Sequence, residues 1–286
     1  NMDGLKALEE IMKTKPLPVV MLSSMTQAGA DATMKALALG CVDFIGKPAG
    51  TISLNIKDIS QEIIDKVVTA ATARVRGFTR NIAPASDFRR MNAPVSTGRR
   101  DIVAIASSTG GPMALSDLIP KLPKNFPVPV VITQHMPKEF TGSFSKRLDE
   151  TSKVEVIEGF DGLTLKPGRV VIAPGGKHLV IKRRAGAAIC ALDDRPPVLS
   201  VKPAANIMFQ SVADNYGGNV LCVILTGMGR DGTDGAITLH QKGAYVLAES
   251  QKTCVVYGMP KAAVDAGVVD EVLPLNEIPD AMVRLV

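Results

Sequence analysis

The chain has 286 residues, of which 46% are hydrophobic and 4% aromatic, and it carries a formal net charge of +5. This length allows one large domain or two ordinary ones with aliphatic cores. The four cysteines form no C-x-x-C pair, and no apolar run has the length of a membrane span. We therefore expect no metal site, no disulfide-rich fold and no membrane insertion, and we predict a reducing, cytoplasmic location. Because the first residue is Asn1, the sequence is interpreted as part of a longer protein.

Helices and short apolar strands alternate through the first 75 residues. Hydrophobic periodicity predicts helices at 2–13, 28–39 and 59–75 and strands at 18–23 and 42–45. This αβαβα order is typical of a parallel sheet covered by helices. We therefore predict a first α/β domain over residues 1–76.

The alternation fails between residues 77 and 100. From Arg76 to Arg100 the chain holds six arginines and one acid, together with scattered Pro, Gly and Ser. This composition predicts a basic interdomain linker. A nucleic-acid or membrane contact assisted by Phe78 and Phe88 is the alternative. We favour a solvated hinge without a nucleic-acid partner, because no recognition helix follows.

The alternation of strands and helices resumes at Asp101 and predicts a second domain over residues 101–286. Strands are expected at 102–106, 128–133, 187–192, 198–201, 219–225 and 244–248, with further strands within 154–180. Helices are expected from residue 112 and at 140–148, 204–216, 236–241 and 261–266. The predicted fold class is α/β, with two doubly wound parallel-sheet domains joined by the linker, the second of them Rossmann-like.

Three predicted strands of the second domain end in reactive side chains. Ser108 follows the first strand, His135 follows the second, and Asp231 follows a later one. Parallel strands place their carboxyl ends on one edge of the sheet, so these residues can converge. A serine nucleophile needs a base to accept its proton and a carboxylate to orient that base. The three residues match those roles, although the sequence has no G-x-S-x-G elbow.

Several of these residues also have a purely structural interpretation. Ser108 is equally well placed to cap the helix that follows it. Asp234 competes with Asp231 for the role of the acid. For His135 we favour a functional role, whereas His178, which follows two glycines, is predicted to be a turn residue and His240 a structural one.

A competing interpretation involves a nucleotide cofactor. Residues 227–232 fit G-x-G-x-x-G after a strand, and Glu249 ends the next strand, as in a dinucleotide fingerprint. However, Asp231 would repel a pyrophosphate in that turn, and Gly235 interrupts the following helix. A nucleotide-dependent oxidoreductase is therefore kept as the alternative function.

Three stretches of the second domain resemble one known family. Residues 107–111 (SSTGG), 132–137 (ITQHMP) and 226–232 (TGMGRDG) resemble the signature stretches of the bacterial chemotaxis protein-glutamate methylesterases, the CheB family. Within residues 257–260 (YGMP), the Met-Pro pair matches a further stretch of that family. The stretches occur in the family's order and at similar spacing, and the resemblance runs through the whole chain.

The resemblance implies a serine hydrolase without a cofactor. Ser108 would be the nucleophile, His135 the general base and Asp231, rather than Asp234, the orienting acid. Met228 would give a backbone N–H to the oxyanion. The implied neighbours of the active site are Thr109, Gly110 and Met228. The implied reaction is hydrolysis of glutamyl methyl esters on chemoreceptors, with deamidation of certain receptor glutamines by the same route.

Residues 1 to about 50 resemble the second half of a response-regulator receiver domain. The resemblance implies switch roles for Ser23, Phe44 and Lys47. In the family the receiver covers the catalytic cleft until it is phosphorylated, so a complete receiver implies a chemotaxis histidine kinase as partner. The sequence departs from the family here, because it includes neither the phospho-acceptor nor the acidic metal pocket. No phosphoryl transfer is expected of the sequence as it stands.

Overall fold

The computed structural model describes residues 2–47, 59–73, 98 and 100–286. The chain forms two compact units, Asn1–Ala85 and Ser86–Val286. Most of the predicted linker, including Phe78 and Phe88, lies outside the described residues, so its boundaries stay a prediction. Arg100 differs from the expected exposed linker residue: it is buried, and its guanidinium lies 5.2 Å from the centroid of the Tyr245 ring.

The first unit has the predicted order of helices and strands. Its elements are α1 (Gly4–Thr14), β1 (Val20–Ser24), α2 (Gln27–Ala38), β2 (Asp43–Lys47) and α3 (Ser60–Thr72). Strands β1 and β2 pair in parallel, with Val20 opposite Asp43. The Thr26 side chain caps α2 by accepting a hydrogen bond of 3.1 Å from the Gly29 amide, which explains why the helix begins directly after this residue.

The second unit is built around a seven-stranded sheet in the order β11-β10-β9-β3-β4-β6-β5. Every neighbouring pair in this sheet is parallel. Its strands are β3 (Ile102–Ser107), β4 (Val130–Gln134), β5 (Glu155–Glu158), β6 (Arg169–Ile172), β9 (Val220–Ile224), β10 (Tyr245–Glu249) and β11 (Glu271–Leu273). Strands β7 (His178–Arg184) and β8 (Ala187–Asp193) form a separate antiparallel hairpin.

Helices alternate with strands along the second unit. They are α4 (Gly111–Leu118), α5 (Lys138–Thr151), α6 (Ala205–Tyr216), α7 (Thr233–Gln241), α8 (Met259–Asp265) and α9 (Ile278–Leu285). The central strand β3 is buried along its whole length. Ala104 and Ala106 belong to a core cluster with Phe209 of α6, while Val103 and Ile105, also buried, alternate to the opposite face. A strand buried on both faces is typical of a doubly wound α/β sheet.

The strand order reverses beside β3. From β3 the chain continues to β4 on one side, whereas β9, on the other side of β3, continues outward to β10. In open parallel sheets such a reversal creates a crevice at the carboxyl ends of the strands, where ligands bind. The segments after β3, β4 and β9 meet at this crevice.

The structure extends and corrects parts of the sequence prediction. Strand β11 and helix α9 had no predicted counterpart, and residues 198–201 form only an isolated bridge. His178 is not a turn residue but the buried first residue of β7. Within the residues that the structure describes, no helix is both long enough and apolar enough to cross a membrane.

Truncation of a buried ring should show how much of the stability depends on the contact between α6 and the sheet. Phe209 is fully buried, whereas Phe160 is 51% exposed. We predict that Phe209→Ala lowers the free energy of unfolding by about 3–5 kcal/mol, because it removes apolar contacts and leaves a cavity. Phe160→Ala, the matched control, should change it by no more than ~0.5 kcal/mol. Urea unfolding followed by far-ultraviolet circular dichroism measures both, and equal effects would contradict the prediction.

Candidate active site

A direct hydrogen bond joins the imidazole of His135 to the carboxylate of Asp231. His135 follows β4, Asp231 lies in the loop after β9, and His135 Nε2 is 2.7 Å from Asp231 Oδ2. Asp231 is almost fully buried at 3% exposure, and the His135 side chain is 11% exposed. The competing acid, Asp234, instead pairs with Arg230 on the surface at 2.6 Å. The structure therefore brings Asp231, and not Asp234, to the imidazole.

The Asp231 carboxylate is also held by the first turn of α6. Asp231 Oδ2 accepts a hydrogen bond from the Ala205 amide at 2.5 Å, and Oδ1 accepts one from the Asn206 amide at 3.0 Å. These amides belong to the helix N-terminus, where unpaired N–H groups and the helix dipole favour an anion. Burial alone would raise the pKa of Asp231, but the hydrogen bond and charge of His135 and the two amides outweigh burial and lower the pKa. The carboxyl group is thus kept ionised in a buried site.

The identity of the bonded nitrogen fixes the proton on the imidazole. An ionised carboxylate only accepts hydrogen bonds, so His135 Nε2 must donate to Asp231. In a neutral imidazole the other nitrogen, Nδ1, then carries the lone pair. The base that this geometry offers is therefore His135 Nδ1.

Ser108 lies directly beside the end of β4. The strand ladder pairs Ser107 with Gln134, and the ladder continues through a bond of 3.1 Å from the His135 amide to the Ser107 carbonyl. On the other side of β3, the Ser108 amide donates to the Thr226 carbonyl at 3.0 Å. Among the described residues, the hydroxyl of Ser108 forms no hydrogen bond with the imidazole. Catalytic hydrogen bonds are often long in unliganded enzymes and tighten when substrate binds.

The helix after Ser108 does not begin with a serine cap. The N-cap of α4 is Gly110, which adopts the left-handed conformation at φ 78°, and no side chain caps this helix. The Ser108 carbonyl accepts a hydrogen bond of 2.7 Å from the Gly111 amide. Of the two interpretations of Ser108, the structure therefore does not support that of a helix cap, because no side chain, including that of Ser108, caps α4.

The side chain of Gln134 connects the backbone of Ser108 with that of His135. This buried amide donates from Nε2 to the Ser108 carbonyl at 3.1 Å and to the His135 carbonyl at 2.9 Å. Its Oε1 atom accepts a bond of 2.7 Å from the Ser107 hydroxyl. An ideal Cβ on Gly111 would lie 2.0 Å from Gln134 Oε1 and 2.8 Å from Ser107 Cβ, so a larger residue there would displace the Gln134 amide. Sequence reasoning did not assign a role to Gln134, because nothing in a glutamine at a strand end indicates what its amide contacts.

Gly227, the first glycine of the 227–232 stretch, lies in close contact with Ser108. An ideal Cβ on Gly227 would lie 2.8 Å from Ser108 Cβ. The Gly227 carbonyl accepts hydrogen bonds from the amides of Gly258 (3.1 Å) and Met259 (2.9 Å), which fix this loop to the stretch at 257–260. Met228, which follows Gly227, is 39% exposed at the crevice. The small residue at 227 therefore lets the loop lie against the serine.

Glu249, the expected ribose-binding acid of the alternative function, is fully buried. Its carboxylate accepts hydrogen bonds from the Thr226 amide at 2.9 Å and the Thr253 hydroxyl at 2.8 Å. Thr226 in turn donates from Oγ1 to the Thr109 carbonyl at 3.0 Å. Glu249 is thus a structural hydrogen-bond acceptor for Thr226, which in turn bonds to the turn after Ser108. This arrangement gives no support to the oxidoreductase alternative.

The residues compared with receiver switch positions lie in the first unit. Ser23 and Lys47 lie at the carboxyl ends of the paired strands β1 and β2. The Ser23 hydroxyl donates to the Gly29 carbonyl at 3.0 Å and accepts a bond of 2.6 Å from the Thr33 hydroxyl. Phe44 is buried, with the Lys66 ammonium 5.4 Å from its ring centroid. Switch roles for Ser23, Phe44 and Lys47 stay a prediction.

Comparison with known proteins identifies the family. The family model for the CheB methylesterase matches residues 103–282. The chain belongs to the CheB methylesterase family. A protein from Pyrococcus horikoshii named protein-glutamate methylesterase/protein-glutamine glutaminase is 42% identical over 287 residues, covering 100% of this chain and 78% of the relative. A protein of the same name from Thermotoga maritima is 44% identical over 286 residues, covering 100% of this chain and 82% of the relative.

A solved structure is similar to about two thirds of this CheB-family chain. It is the crystal structure of the Thermotoga maritima CheB methylesterase catalytic domain, with 46% sequence identity and a TM-score of 0.64. The match covers 66% of this chain and 100% of the solved chain. The expected family membership and the α/β fold class are thereby confirmed.

The contacts of Gln134 predict a loss of activity when its donor is removed. Gln134→Glu replaces the N–H donors with a carboxylate that repels both backbone carbonyls, so Ser108 and His135 should separate. We predict that kcat for ester hydrolysis falls by about 10²-fold, as expected for a misplacement near 1 Å. Ser107→Ala removes only the hydroxyl that orients the amide, and it should have a much smaller effect. Steady-state kinetics compares the two variants, and equal kcat values would contradict this assignment.

The lowered pKa of Asp231 predicts how acid acts on stability. A carboxyl group whose pKa is lowered by folding stabilises the protein above its unfolded pKa, and the stabilisation is lost as the pH falls through the folded value. The difference in unfolding free energy between the wild-type protein and Asp231→Asn should therefore shrink between about pH 5 and about pH 3. Urea unfolding across this range measures the difference. A difference that stays constant or grows would show that the carboxylate is not stabilised in the fold.

Proposed function

We propose that this chain hydrolyses methyl esters of glutamyl side chains in chemoreceptors, with Ser108 as nucleophile, His135 as general base and Asp231 as orienting acid. The observation that carries this proposal is the hydrogen bond from His135 to the buried Asp231 carboxylate beside Ser108, at the reversal of the strand order. The names of the relatives from Pyrococcus horikoshii and Thermotoga maritima, protein-glutamate methylesterase/protein-glutamine glutaminase, support the same reaction.

In the acylation step, Ser108 Oγ attacks the ester carbonyl carbon while its proton passes to His135 Nδ1. The imidazolium that forms is stabilised by the Asp231 carboxylate at Nε2. The tetrahedral intermediate then collapses, and the proton on Nδ1 moves to the departing methoxy oxygen. Methanol leaves, and the glutamyl group remains as an ester of Ser108.

In the deacylation step, water takes the place of methanol. His135 Nδ1 accepts a proton from the water, whose oxygen attacks the acyl carbon, and the proton returns to Ser108 Oγ when the acyl bond breaks. The products are a glutamate carboxylate and the free enzyme. A receptor glutamine follows the same route, with ammonia leaving in place of methanol. This shared intermediate accounts for two activities at one site.

The oxyanion of the tetrahedral intermediate needs donors beside Ser108. We assign this role to backbone N–H groups of the turn formed by Thr109 and Gly110 and of the loop at Met228. Two observations support the assignment: Gly110, the N-cap of α4, adopts the left-handed conformation, and Gly227 lies in close approach to Ser108. Donors aimed at a developing negative charge lower the barrier because they are already oriented.

The setting of the reaction follows from the same proposal. The substrate is a chemoreceptor, and in a complete receiver a chemotaxis histidine kinase would supply the phosphoryl group that relieves inhibition. We place the reaction in the cytoplasm. The four cysteines, Cys41, Cys190, Cys222 and Cys254, are free and buried, which is consistent with a compartment in which disulfides are rare.

Three substitutions test the assigned roles. Ser108→Ala should lower kcat for methanol release from methylated receptors by at least about 10⁴-fold. Asp231→Asn should lower kcat by about 10⁴-fold, because the imidazole loses the acceptor that selects its tautomer. The matched control is Asp234→Asn, which changes an exposed carboxylate three residues away and should leave kcat near the wild-type value. Wild-type activity in Ser108→Ala, or equal effects of the two Asp substitutions, would refute the proposal.

A further inference from the structure

His178 is a fully buried histidine near the site, and its ring nitrogens form hydrogen bonds with neither Ser108 nor Asp231. It begins β7 and has no exposed surface. Its Nδ1 atom accepts a hydrogen bond of 3.0 Å from the Ala204 amide, and its Nε2 atom is 3.1 Å from the Pro196 carbonyl. An amide only donates and a carbonyl only accepts, so His178 is neutral and carries its proton on Nε2. Both ring nitrogens are therefore used, and each by a specific backbone group.

Ala204 connects this histidine with the catalytic carboxylate. It is the N-cap residue of α6, and its side chain cannot satisfy the amides of the first turn. Three consecutive amides are held from outside the helix instead. The Ala204 amide donates to His178, and those of Ala205 and Asn206 donate to Asp231. His178 thus fixes the Ala204 amide, and the next two amides along the chain are the donors that hold Asp231.

We propose that His178 is a positioning residue for the catalytic pair, because it fixes the start of α6 and thereby the donors that orient the Asp231 carboxylate toward His135. This inference rests on the proposed roles of His135 and Asp231. His178 acts through backbone amides and does not contact the reacting atoms. A shift of the first turn of α6 would move Asp231 relative to His135 Nε2 and so misplace the base.

The asymmetry of the two ring contacts gives a matched pair of variants. In His178→Asn, the side-chain oxygen can take the place of Nδ1 and accept from the Ala204 amide, while the contact with Pro196 is lost. In His178→Gln, the longer amide can donate to the Pro196 carbonyl, while the acceptor for Ala204 is lost. The Asn variant therefore keeps the hydrogen bond to the Ala204 amide, which leads to Asp231. The Gln variant keeps only the hydrogen bond to the Pro196 carbonyl.

We predict that His178→Gln lowers kcat by up to about 10²-fold with little change in KM, the effect expected of a misplaced catalytic group. His178→Asn should retain most of the wild-type kcat, even where urea unfolding shows that both variants lose similar stability. The low-field proton resonance of His135 Nε2, recorded on the full chain, gives a reading that does not depend on turnover. It should persist in His178→Asn and should shift or broaden in His178→Gln.

The outcomes separate this proposal from the proposed function. Equal kcat values in the two variants, or an unchanged His135 resonance in His178→Gln, would overturn the positioning role. If His178→Gln does not fold, His178→Asn still tests it, since a loss of kcat as large as that predicted for Gln would contradict the proposal. A wild-type protein that releases no methanol, or releases as much after Ser108→Ala, would refute the proposed function, while the resonance would still report on His178.

Discussion

The burial of the Asp231 carboxylate is the constraint on which the proposed active site depends. An ionised carboxylate removed from water is unfavourable unless hydrogen bonds and opposite charge replace the water. Here two amides at the start of α6 and the imidazole of His135 do so. With its oxygens held in this way, the carboxylate orients the imidazole ring and keeps the proton on Nε2. Nδ1 is then the nitrogen that is left to act as a base in the proposed mechanism.

The sheet brings these groups together by topology rather than by sequence proximity. Ser108, His135 and Asp231 follow β3, β4 and β9, three neighbouring strands that are distant along the chain. The order of the proposed triad, Ser-His-Asp, differs from that of the common serine hydrolases, in which such triads are recognised by geometry and roles and not by sequence order. The sequence has no G-x-S-x-G turn around its serine. Instead, Gly110 adopts the left-handed conformation before α4, and Gly227 allows its loop to lie against Ser108.

Sequence analysis could predict the parts of the molecule that are specified locally. The apolar run at 102–106 and the glycines after it indicate a buried strand and a turn, and the parallel sheet then implies that Ser108, His135 and Asp231 share one edge. Contacts set by tertiary structure could not be predicted. The side-chain amide of Gln134 bonds to the carbonyls of both Ser108 and His135. Glu249 accepts a hydrogen bond from the Thr226 amide, and His178 accepts one from the amide of Ala204, 26 residues away at the start of α6. No local pattern encodes these partners, and so His178 was predicted as a turn residue.

In the proposed active site, Asp231 holds His135 through Nε2 and leaves Nδ1 as the base. The most direct test is the ¹⁵N chemical shift of the two ring nitrogens of His135 at neutral pH, assigned by comparison with His135→Gln. We predict that Nε2 has the shift of a protonated ring nitrogen and that Nδ1 has the shift of an unprotonated one. A protonated Nδ1 with an unprotonated Nε2 would contradict the account, because the imidazole would then have no proton to donate to Asp231 and no lone pair to offer to Ser108.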